Sequence, residues 1–347
     1  MIEFISKEPI NKGWSFDRKY RVTTADGTKY LLRITPFEKS ANRENMYLMQ
    51  KEVERLGVPM CKPIDFGKCD EGVYTLQTWI EGKDAEDVVP FLADSEQYAL
   101  GLEAGRILKK IHSIPAPSDQ PDWETRINDK ADLKIKKYNE CELKYDNGQA
   151  FIDFINANRY LLKNRPQVFQ HGDYHIGNMM IENGKVVVID FDRYDFGDPW
   201  EEFKSITWCA QASPLFASGM VNGYFDNNVP MEFWKLLALY ISLGTITSLP
   251  WAIPYGDGEV QTMLNQLRFL LQVLLMDILM MKYQWIFGNF LHFISAAICF
   301  HQFRGQSRSV MVKFRQCLIM QRMFSIGMII CRIPCRVGIS RVIICST

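Results

Sequence analysis

The sequence has no net formal charge and no pair of cysteines in a CxxC spacing. Its 347 residues carry 40 Lys and Arg against 40 Asp and Glu, with nine cysteines. The four cysteines before residue 268 are scattered, a usage typical of reduced thiols in a cytoplasmic protein. No basic stripe runs through this part of the chain, so nothing indicates a nucleic-acid partner. The first nine residues include two acidic side chains and no long apolar core, so we expect no signal peptide and a cytoplasmic location.

The last 80 residues, 268–347, almost lack acidic side chains. They hold ten Lys and Arg but a single acid, Asp277, which gives this segment a formal charge of +9 and the rest of the chain −9. Residues 283–303 contain no charged side chain and are long enough to span a bilayer, although polar residues interrupt them.

Three explanations of this tail remain open. It is a membrane anchor with a basic flank, an unusual packed extension, or the product of out-of-frame translation after a frameshift. We favour the frameshift over membrane contact, because no repeat, cap or period organises these residues. Translating the other two frames of the encoding DNA tests it, since one of them should continue an amphipathic C-terminal helix.

The most informative stretch lies between Gln170 and Asp192. Asp173 is followed five residues later by Asn178, and a short β-branched run ends at Asp190. The intervening Asn-Gly pair at 183–184 predicts a two-residue hairpin turn. We expect this hairpin to place Asn178 at the start of one strand and Asp190 at the end of the other, with both side-chain oxygens facing one hard cation.

The order and spacing of these residues, with His171-Gly172 before Asp173, resemble the aminoglycoside phosphotransferase family, which are antibiotic and small-molecule kinases. The resemblance implies an α+β, two-lobe, protein-kinase-like fold with a five-stranded antiparallel first lobe, one helix beside it and a mostly helical second lobe. It also implies that Asp173 accepts the proton of the attacking hydroxyl, while Asn178 and Asp190 bind Mg²⁺. ATP or GTP would be the phosphate donor.

The same segment has a competing interpretation as a zinc site. His171, Asp173 and His175 offer three nitrogen and oxygen ligands within five residues. Zinc sites usually draw further ligands from elsewhere, and the other histidines form no cluster. We therefore favour a bracing role for His171 and assign none to His175.

The resemblance divides the chain into a nucleotide-binding lobe at 1–80, a catalytic and substrate lobe at 81–267, and the tail at 268–347. The first lobe is predicted from turn residues and apolar periodicity. Its elements are three strands within 8–34, a helix from about 40 to 56, and two strands at 61–67 and 73–79.

The resemblance also supplies candidates for nucleotide binding. These are Gly13 and Ser15 in the first turn, Arg33 on the third strand, Glu44 on the helix, and Gln77 and Trp79 at the hinge between the lobes. Arg33 stands where kinases carry a phosphate-gripping Lys, and we predict that Glu44 pairs with it. The alternative for Arg33 is a solvated side chain at a strand edge. Recognition of the purine by the backbone leaves ATP and GTP undistinguished.

Four carboxylates after the motif are substrate candidates, namely Asp195, Asp198, Glu201 and Glu202. They suit a cationic aminoglycoside, although such runs are often simply solvated, and Asp198 before Pro199 is better explained as a helix N-cap. A macrolide would instead use an apolar wall, for which Trp200, Trp208, Phe216 and Trp251 are available. The sequence thus predicts a small-molecule kinase for an aminoglycoside-like antibiotic. The alternatives are a kinase for a macrolide, choline or a sugar, or a catalytically silent nucleotide-binding protein.

Overall fold

The computed structural model describes residues 2–11, 16–145 and 148–265, together with the backbone of two short strands near the C-terminus. Gly13 and Ser15 lie outside the described residues, as does the apolar stretch 283–303. The predictions made for them stay predictions.

The first lobe is a five-stranded antiparallel sheet with one helix, α1 (Arg43–Arg55), beside it. The strand order is β1-β2-β3-β5-β4. The strands are β1 (Ser6–Ile10), β2 (Arg18–Thr23), β3 (Lys29–Thr35), β4 (Pro63–Cys69) and β5 (Gly72–Thr78). This confirms the predicted strands and helix, although α1 begins three residues later than expected and β4 extends two residues further.

The two faces of this sheet differ in chemistry because side chains alternate along each strand. Val22, Leu32 and Leu76 pack into an apolar cluster on one face. On the other face, Arg33 and Gln77 lie toward α1, since the Gln77 side-chain amide donates to the side chain of a glutamine in that helix at 3.0 Å. The polar face therefore points at the second lobe.

The second lobe contains two small antiparallel sheets. The strands are β6 (Lys83–Asp84), β7 (Val168–Gln170), β8 (Met179–Glu182), β9 (Lys185–Val188) and β10 (Asp195–Gly197). They form the sheet β6-β8-β9 and the pair β7-β10. Asn183 and Gly184 between β8 and β9 have φ of 51° and 72°, the left-handed conformations that a tight hairpin turn requires. The predicted hairpin is confirmed.

The rest of this lobe is helical, as predicted. The helices are α2 (Ala85–Val88), α3 (Asp94–Ile111), α4 (Trp123–Glu140), α5 (Gly148–Asn158), α6 (Ile206–Ala212), α7 (Pro214–Tyr224) and α8 (Met231–Ala252). Helix α8, with the turn that follows it, is long and apolar enough to cross a membrane. However, 67% of its most apolar stretch is buried against α4 and α5 in the core of the lobe. A buried core helix meets the same criteria of length and apolar composition.

Helices α3 and α7 approach each other so closely that glycine is required at the contact. A Cβ on Gly105 would lie 2.0 Å from the carbonyl oxygen of Met220, and one on Gly223 would lie 2.2 Å from that of Leu102. This contact fixes α3 behind the hairpin, where the Tyr174 hydroxyl donates to the carbonyl of Ala104 at 2.7 Å.

The chain separates into two compact units, residues 1–295 and 296–347. The described part of the second unit is an antiparallel pair, β11 (Ile330–Cys331) and β12 (Ile343–Ile344). The predicted domain boundaries at residues 80 and 267 stay predictions.

Candidate active site

Asn178 and Asp190 lie side by side where the β8–β9 hairpin opens. Asn178 directly precedes β8, and its carbonyl accepts a hydrogen bond from the Ile189 N–H at 3.0 Å. Strand β9 is tied to the segment after α1, because the Val188 N–H donates to the carbonyl of Pro59 at 2.9 Å. The hairpin thus brings the two predicted metal ligands together and fixes them against the first lobe.

The loop before the hairpin is braced by His171. Its Nδ1 accepts from the Asp173 N–H at 3.3 Å, so Nε2 carries the proton and donates to the carbonyl of Ile189 at 2.9 Å. Gly172 has φ of 86°, and a Cβ there would lie 1.8 Å from the carbonyl oxygen of Arg193. The bracing role predicted for His171 agrees with these contacts.

Both ring nitrogens of His171 are used in these hydrogen bonds, so the ring has no lone pair left for zinc. Among the residues that the structure describes, no group of three His, Cys, Asp or Glu side chains is arranged to hold a metal ion. The zinc interpretation is therefore not supported.

Glu202 also holds the loop that carries Asp173, because its carboxylate accepts hydrogen bonds from the backbone of that loop. Its two carboxylate oxygens accept from the Gly172 N–H at 3.0 and 3.1 Å, and Tyr174 N–H donates to one of them at 3.3 Å. Burial raises the pKa of Glu202, but the approach of the His112 ring, whose Nε2 lies 3.7 Å from the carboxylate, and the charge of Lys204 outweigh it and lower the pKa to about 2. The carboxylate is fully buried, so the prediction that Glu202 faces a substrate is wrong.

Asp173 is held at the mouth of this loop with a quarter of its side chain exposed. Its Oδ1 lies 3.5 Å from Nε2 of His175, and its Oδ2 lies 3.6 Å from a guanidinium nitrogen of Arg193. Burial raises the pKa of Asp173. The contact with the Nε2 of His175, followed by the charge of Arg193, outweighs that effect and lowers the pKa to about 2. The side chain is therefore an anion at neutral pH.

His175 belongs to this cluster, although no role was assigned to it from its sequence position. Its Nδ1 accepts from the Gly177 N–H at 3.1 Å, which leaves the proton on Nε2, facing Asp173. The same Nε2 lies 3.4 Å from the side-chain nitrogen of Asn178. Its position two residues after the Asp and three before the Asn is the signal that sequence reasoning missed.

The oxygens of Asn178 and Asp190 fit a hard cation. The side-chain nitrogen of Asn178 donates to the carbonyl of Asp173 at 2.9 Å, which leaves its oxygen as the ligand atom. Oδ1 of Asp190 is buried, and no hydrogen bond from the described residues reaches it. The whole Asp190 side chain is nevertheless 37% exposed. Oδ1 of Asp190 also lies 3.5 Å from Nη1 of Arg33. Carboxylate and amide oxygens of this kind are the donors that Mg²⁺ takes in proteins.

Arg33 lies in a cluster of three carboxylates. Its Nε donates to Asp17 at 2.9 Å, its Nη2 contacts Asp192, and its Nη1 lies 3.5 Å from Asp190. Burial lowers the pKa of Arg33, but the charges of Asp192, Asp190 and Asp17 outweigh it and raise the pKa. With 4% of its surface accessible, Arg33 is not the solvated strand-edge residue of the alternative interpretation.

The predicted Arg33–Glu44 ion pair is wrong. Glu44 is exposed on α1, whereas the buried face of that helix carries Met46, Gln50 and Val53. Arg43, three residues before Met46, lies toward that face and pairs with Asp17 at 2.8 Å.

Asp17 is the acidic partner that sequence reasoning missed. It is buried immediately before β2 and accepts from Arg33, Arg43 and the hydroxyl of Thr35. Arg43 also pairs with Asp192 at 3.0 Å. An acid that follows a turn in the sequence gives no local sign of contacts made 16 and 26 residues away.

Lys19 is a further cation beside this cluster. It is paired in register with Arg33 across the β2–β3 ladder. Burial lowers the pKa of Lys19, as does the charge of Arg33 to a smaller extent, while Asp190, Asp192 and Asp17 act in the opposite direction. The charges of Arg33 and of its three carboxylate partners thus all act on Lys19.

The hinge candidates have different surroundings. The Gln77 side chain is buried on β5 and donates to Gln50, so only its backbone remains for a purine. Trp79 follows β5 and is partly exposed, with the guanidinium of Arg21 lying 5.7 Å from its ring centroid. Their predicted part in nucleotide binding stays a prediction.

Two of the candidate substrate carboxylates are already paired with cations. Asp195 accepts from Arg126 at 2.7 and 2.9 Å and from Lys130 at 3.0 Å. Glu201 accepts from Lys204 at 2.7 Å. A cationic substrate would therefore compete with protein side chains for both.

Asp198 is a structural residue. Its fully buried carboxylate accepts from Arg165 at 2.6 and 3.0 Å and from the Tyr240 hydroxyl at 2.7 Å. It also accepts from the Trp200 N–H at 3.0 Å, at the start of the 3₁₀ turn over 201–205. Asp198 thus braces the turn before this segment, but the N-cap residue is Trp200, so the predicted N-cap position of Asp198 is wrong. The alternative prediction that Asp198 faces a substrate is wrong as well, because its carboxylate is buried and paired.

The two lobes, the hairpin with its Asn and Asp, and the braced Asp loop define a phosphotransferase with an alcohol group as acceptor. A sequence profile of the phosphotransferase enzyme family (APH) matches residues 7–234, and the chain belongs to this family. It is a small-molecule kinase. Among curated proteins there is no match.

Solved structures of aminoglycoside phosphotransferases share the fold. The enzyme APH(4)-Ia is 16% identical, with a TM-score of 0.56 over 76% of this chain and 92% of that one. A thermostable mutant of it, in complex with ADP and hygromycin B, is 17% identical over the same shares, with a TM-score of 0.56. APH(2'')-IIa in complex with gentamicin is 16% identical over 76% of this chain and 91% of that one, with a TM-score of 0.55.

Proposed function

We propose that this protein transfers the γ-phosphate of ATP or GTP to a hydroxyl of a small molecule, with aminoglycoside-like antibiotics as the first class to test. The observation that carries the proposal is the convergence of Asp173, Asn178 and Asp190. The Asn178 side chain is hydrogen-bonded to the Asp173 backbone, and its own backbone is bonded to the residue before Asp190.

In the proposed reaction, the substrate oxygen attacks the γ-phosphorus and forms a new O–P bond. The bond from that phosphorus to the bridging oxygen breaks, and its electron pair leaves with the nucleoside diphosphate. The hydroxyl proton passes to Asp173, which lies partly exposed and ionised at the mouth of its loop. Because its pKa is about 2, we expect Asp173 to act more by orienting the hydroxyl than by strong general-base catalysis.

Asn178 and Asp190 would hold Mg²⁺ through their side-chain oxygens. When bound, the ion neutralises charge on the phosphate oxygens. Asn178 and Asp190 are both anchored by the hairpin, so they present these oxygens without rearrangement of the backbone.

Structures in the same fold support the choice of substrates to test. Their complexes with ADP, AMP-PNP, hygromycin B and gentamicin suggest an adenine nucleotide and an aminoglycoside as first ligands. GTP is tested beside ATP.

A less cationic alcohol is the second candidate, because all four predicted substrate carboxylates are paired or buried within the fold. A macrolide, choline or a sugar requires fewer free acids. Trp208 is available for apolar contact close to the site, since its ring centroid lies 6.5 Å from that of His175.

The decisive experiment measures nucleoside diphosphate release by the purified full chain on a panel of aminoglycosides, macrolides, choline and sugars, with ATP or GTP and Mg²⁺. Substrate-dependent release that Asp173→Ala abolishes supports the proposal. Nucleotide binding without turnover on any alcohol would instead identify a catalytically silent protein.

We also propose a cytoplasmic location. Its support is that Cys61, Cys69, Cys141 and Cys209 are all free thiols. Fractionation of expressing cells tests it, and recovery in the membrane fraction would favour the membrane explanation of the tail.

A further inference from the structure

The guanidinium of Arg33 is fully committed to carboxylates of the protein. Its Nε and Nη2 both face Asp17, at 2.9 and 2.7 Å, and Nη2 also contacts Asp192. Its Nη1 points toward Asp190. Turning Arg33 toward a phosphate would leave the fully buried Asp17 short of a partner, which is costly.

Lys19 is a second cation on the same face of the sheet as Arg33. The two residues are directly opposite on β2 and β3, so their side chains leave the sheet on the same face. Lys19 is partly exposed, whereas Arg33 is enclosed. An ammonium on a flexible four-carbon stem reaches an incoming anion more readily than a guanidinium locked among carboxylates.

The position of Lys19 along the chain points to the same ligand. It is the second residue of β2, directly after the turn that is predicted to lie over the nucleotide phosphates. It also interacts electrostatically with Asp190, the candidate metal ligand. Lys19 therefore follows the predicted phosphate turn in sequence and is close enough to Asp190 for the charge of that carboxylate to act on it.

We propose that Lys19 on β2, rather than Arg33 on β3, is the cation that contacts the phosphates of the nucleotide. Arg33 is then a positioning residue that holds Asp190 and Asp192 in place. This inference rests on the proposed function, because it assumes that a nucleotide occupies the cleft beside Asp190.

The test compares ATP, ADP and adenosine binding by calorimetry, with Mg²⁺, in the full-length wild type and in Lys19→Gln, Lys19→Arg and Arg33→Lys. We expect Lys19→Gln to weaken ATP and ADP binding by roughly tenfold or more, the worth of one charge-assisted hydrogen bond, and to leave adenosine binding unchanged. Lys19→Arg should restore much of the preference for ATP over adenosine. Arg33→Lys should lower the melting temperature and keep that preference.

Lys7→Gln is the matched control. Lys7 is an exposed cation of β1 in the same sheet, with its Nζ lying 4.1 Å from the ring centroid of Tyr20. We expect no change in binding of any of the three ligands.

The outcomes separate the two proposals. A wild type that binds ATP no better than adenosine overturns both. If the wild type prefers ATP and Lys19→Gln keeps that preference, or if Arg33→Lys alone loses it, the inference about Lys19 is overturned and the proposed function stands.

Discussion

At the scale of single residues, the site contains two ionised acids with different surroundings. Asp173 faces the cleft and Glu202 faces the loop backbone, yet both have pKa values lowered to about 2. The first is available to a substrate, and the second is available only to the protein. Their substitution should therefore affect different properties.

Asp173→Ala should reduce turnover by roughly 10²–10⁴-fold, the usual range for loss of a positioned proton acceptor. Nucleotide affinity should change little, because the role proposed for Asp173 is toward the acceptor hydroxyl and the predicted metal ligands are Asn178 and Asp190. The measurement is diphosphate release beside a calorimetric nucleotide titration, with the exposed Asp119→Ala as control. A wild-type rate in Asp173→Ala would show that the role is misassigned.

Glu202→Gln should change the dependence of stability on pH. The folded pKa of about 2 lies below the ordinary 4.5, so the contribution of the carboxylate is present above pH 4.5 and is lost as pH falls toward 2. At neutral pH it is worth about 3 kcal/mol by conversion of that difference. Urea unfolding at several pH values should show a flatter acid limb for Glu202→Gln than for the wild type.

Glu142→Gln is the control for this measurement, because Glu142 is exposed on the same lobe. Its curve should follow the wild type. If Glu202→Gln also follows the wild type between pH 5 and 2, the anchoring role of Glu202 is contradicted.

Which side-chain contacts could be predicted depended on how far apart the partners lie in the sequence. Asn178 and Asp190 were found because one hairpin brings them together, and the Asn-Gly turn fixes its register. Asp173 was found because its spacing from Asn178 matches the motif of the resembled family. Asp17 and the true partners of Arg33 were missed, because their contacts depend on the phase of α1 and on how the two lobes meet. Glu44 was chosen by its sequence position, and the helix turns it to solvent.

At the scale of elements, strands and helices followed from turn residues and apolar periodicity. The closeness of α3 and α7 did not, because single glycines within a helical pattern look like weak points until their neighbours are known. Gly105 and Gly223 are instead the places where two backbones touch. Only the packing of the helices shows whether such a glycine weakens its helix or allows two backbones to approach.

Gly105→Ala should destabilise the protein by about 1–3 kcal/mol, since the new methyl group must displace the carbonyl of Met220. Gly244→Ala is the matched control on helix α8, where a Cβ meets nothing within 4 Å. There the better helix propensity of Ala should stabilise by roughly 0.5–1 kcal/mol. Thermal unfolding by circular dichroism measures both, and equal shifts would contradict the close contact.

At the scale of the whole molecule, an ionic cluster joins the two lobes. Asp17 and Arg33 come from the sheet, Arg43 comes from α1, and Asp190 with Asp192 come from the segment after the hairpin. Such a cluster ties the sheet and α1 of the first lobe to the segment after the hairpin. Its members are largely buried, so breaking it should cost far more than breaking an exposed pair.

Arg43→Gln tests this link, because Arg43 connects Asp17 to Asp192 and is 15% exposed. We expect a loss of about 3–5 kcal/mol, since two buried carboxylates lose a partner. Arg55→Gln is the control on the same helix, where the side chain is 73% exposed and pairs only with Glu52, and it should cost at most about 1 kcal/mol. Urea unfolding gives both values.

Adding Asp192→Asn to Arg43→Gln should cost less than the sum of the single changes, because the two share one interaction. Strict additivity, or equal losses for Arg43→Gln and Arg55→Gln, would mean that the cluster does not couple the lobes.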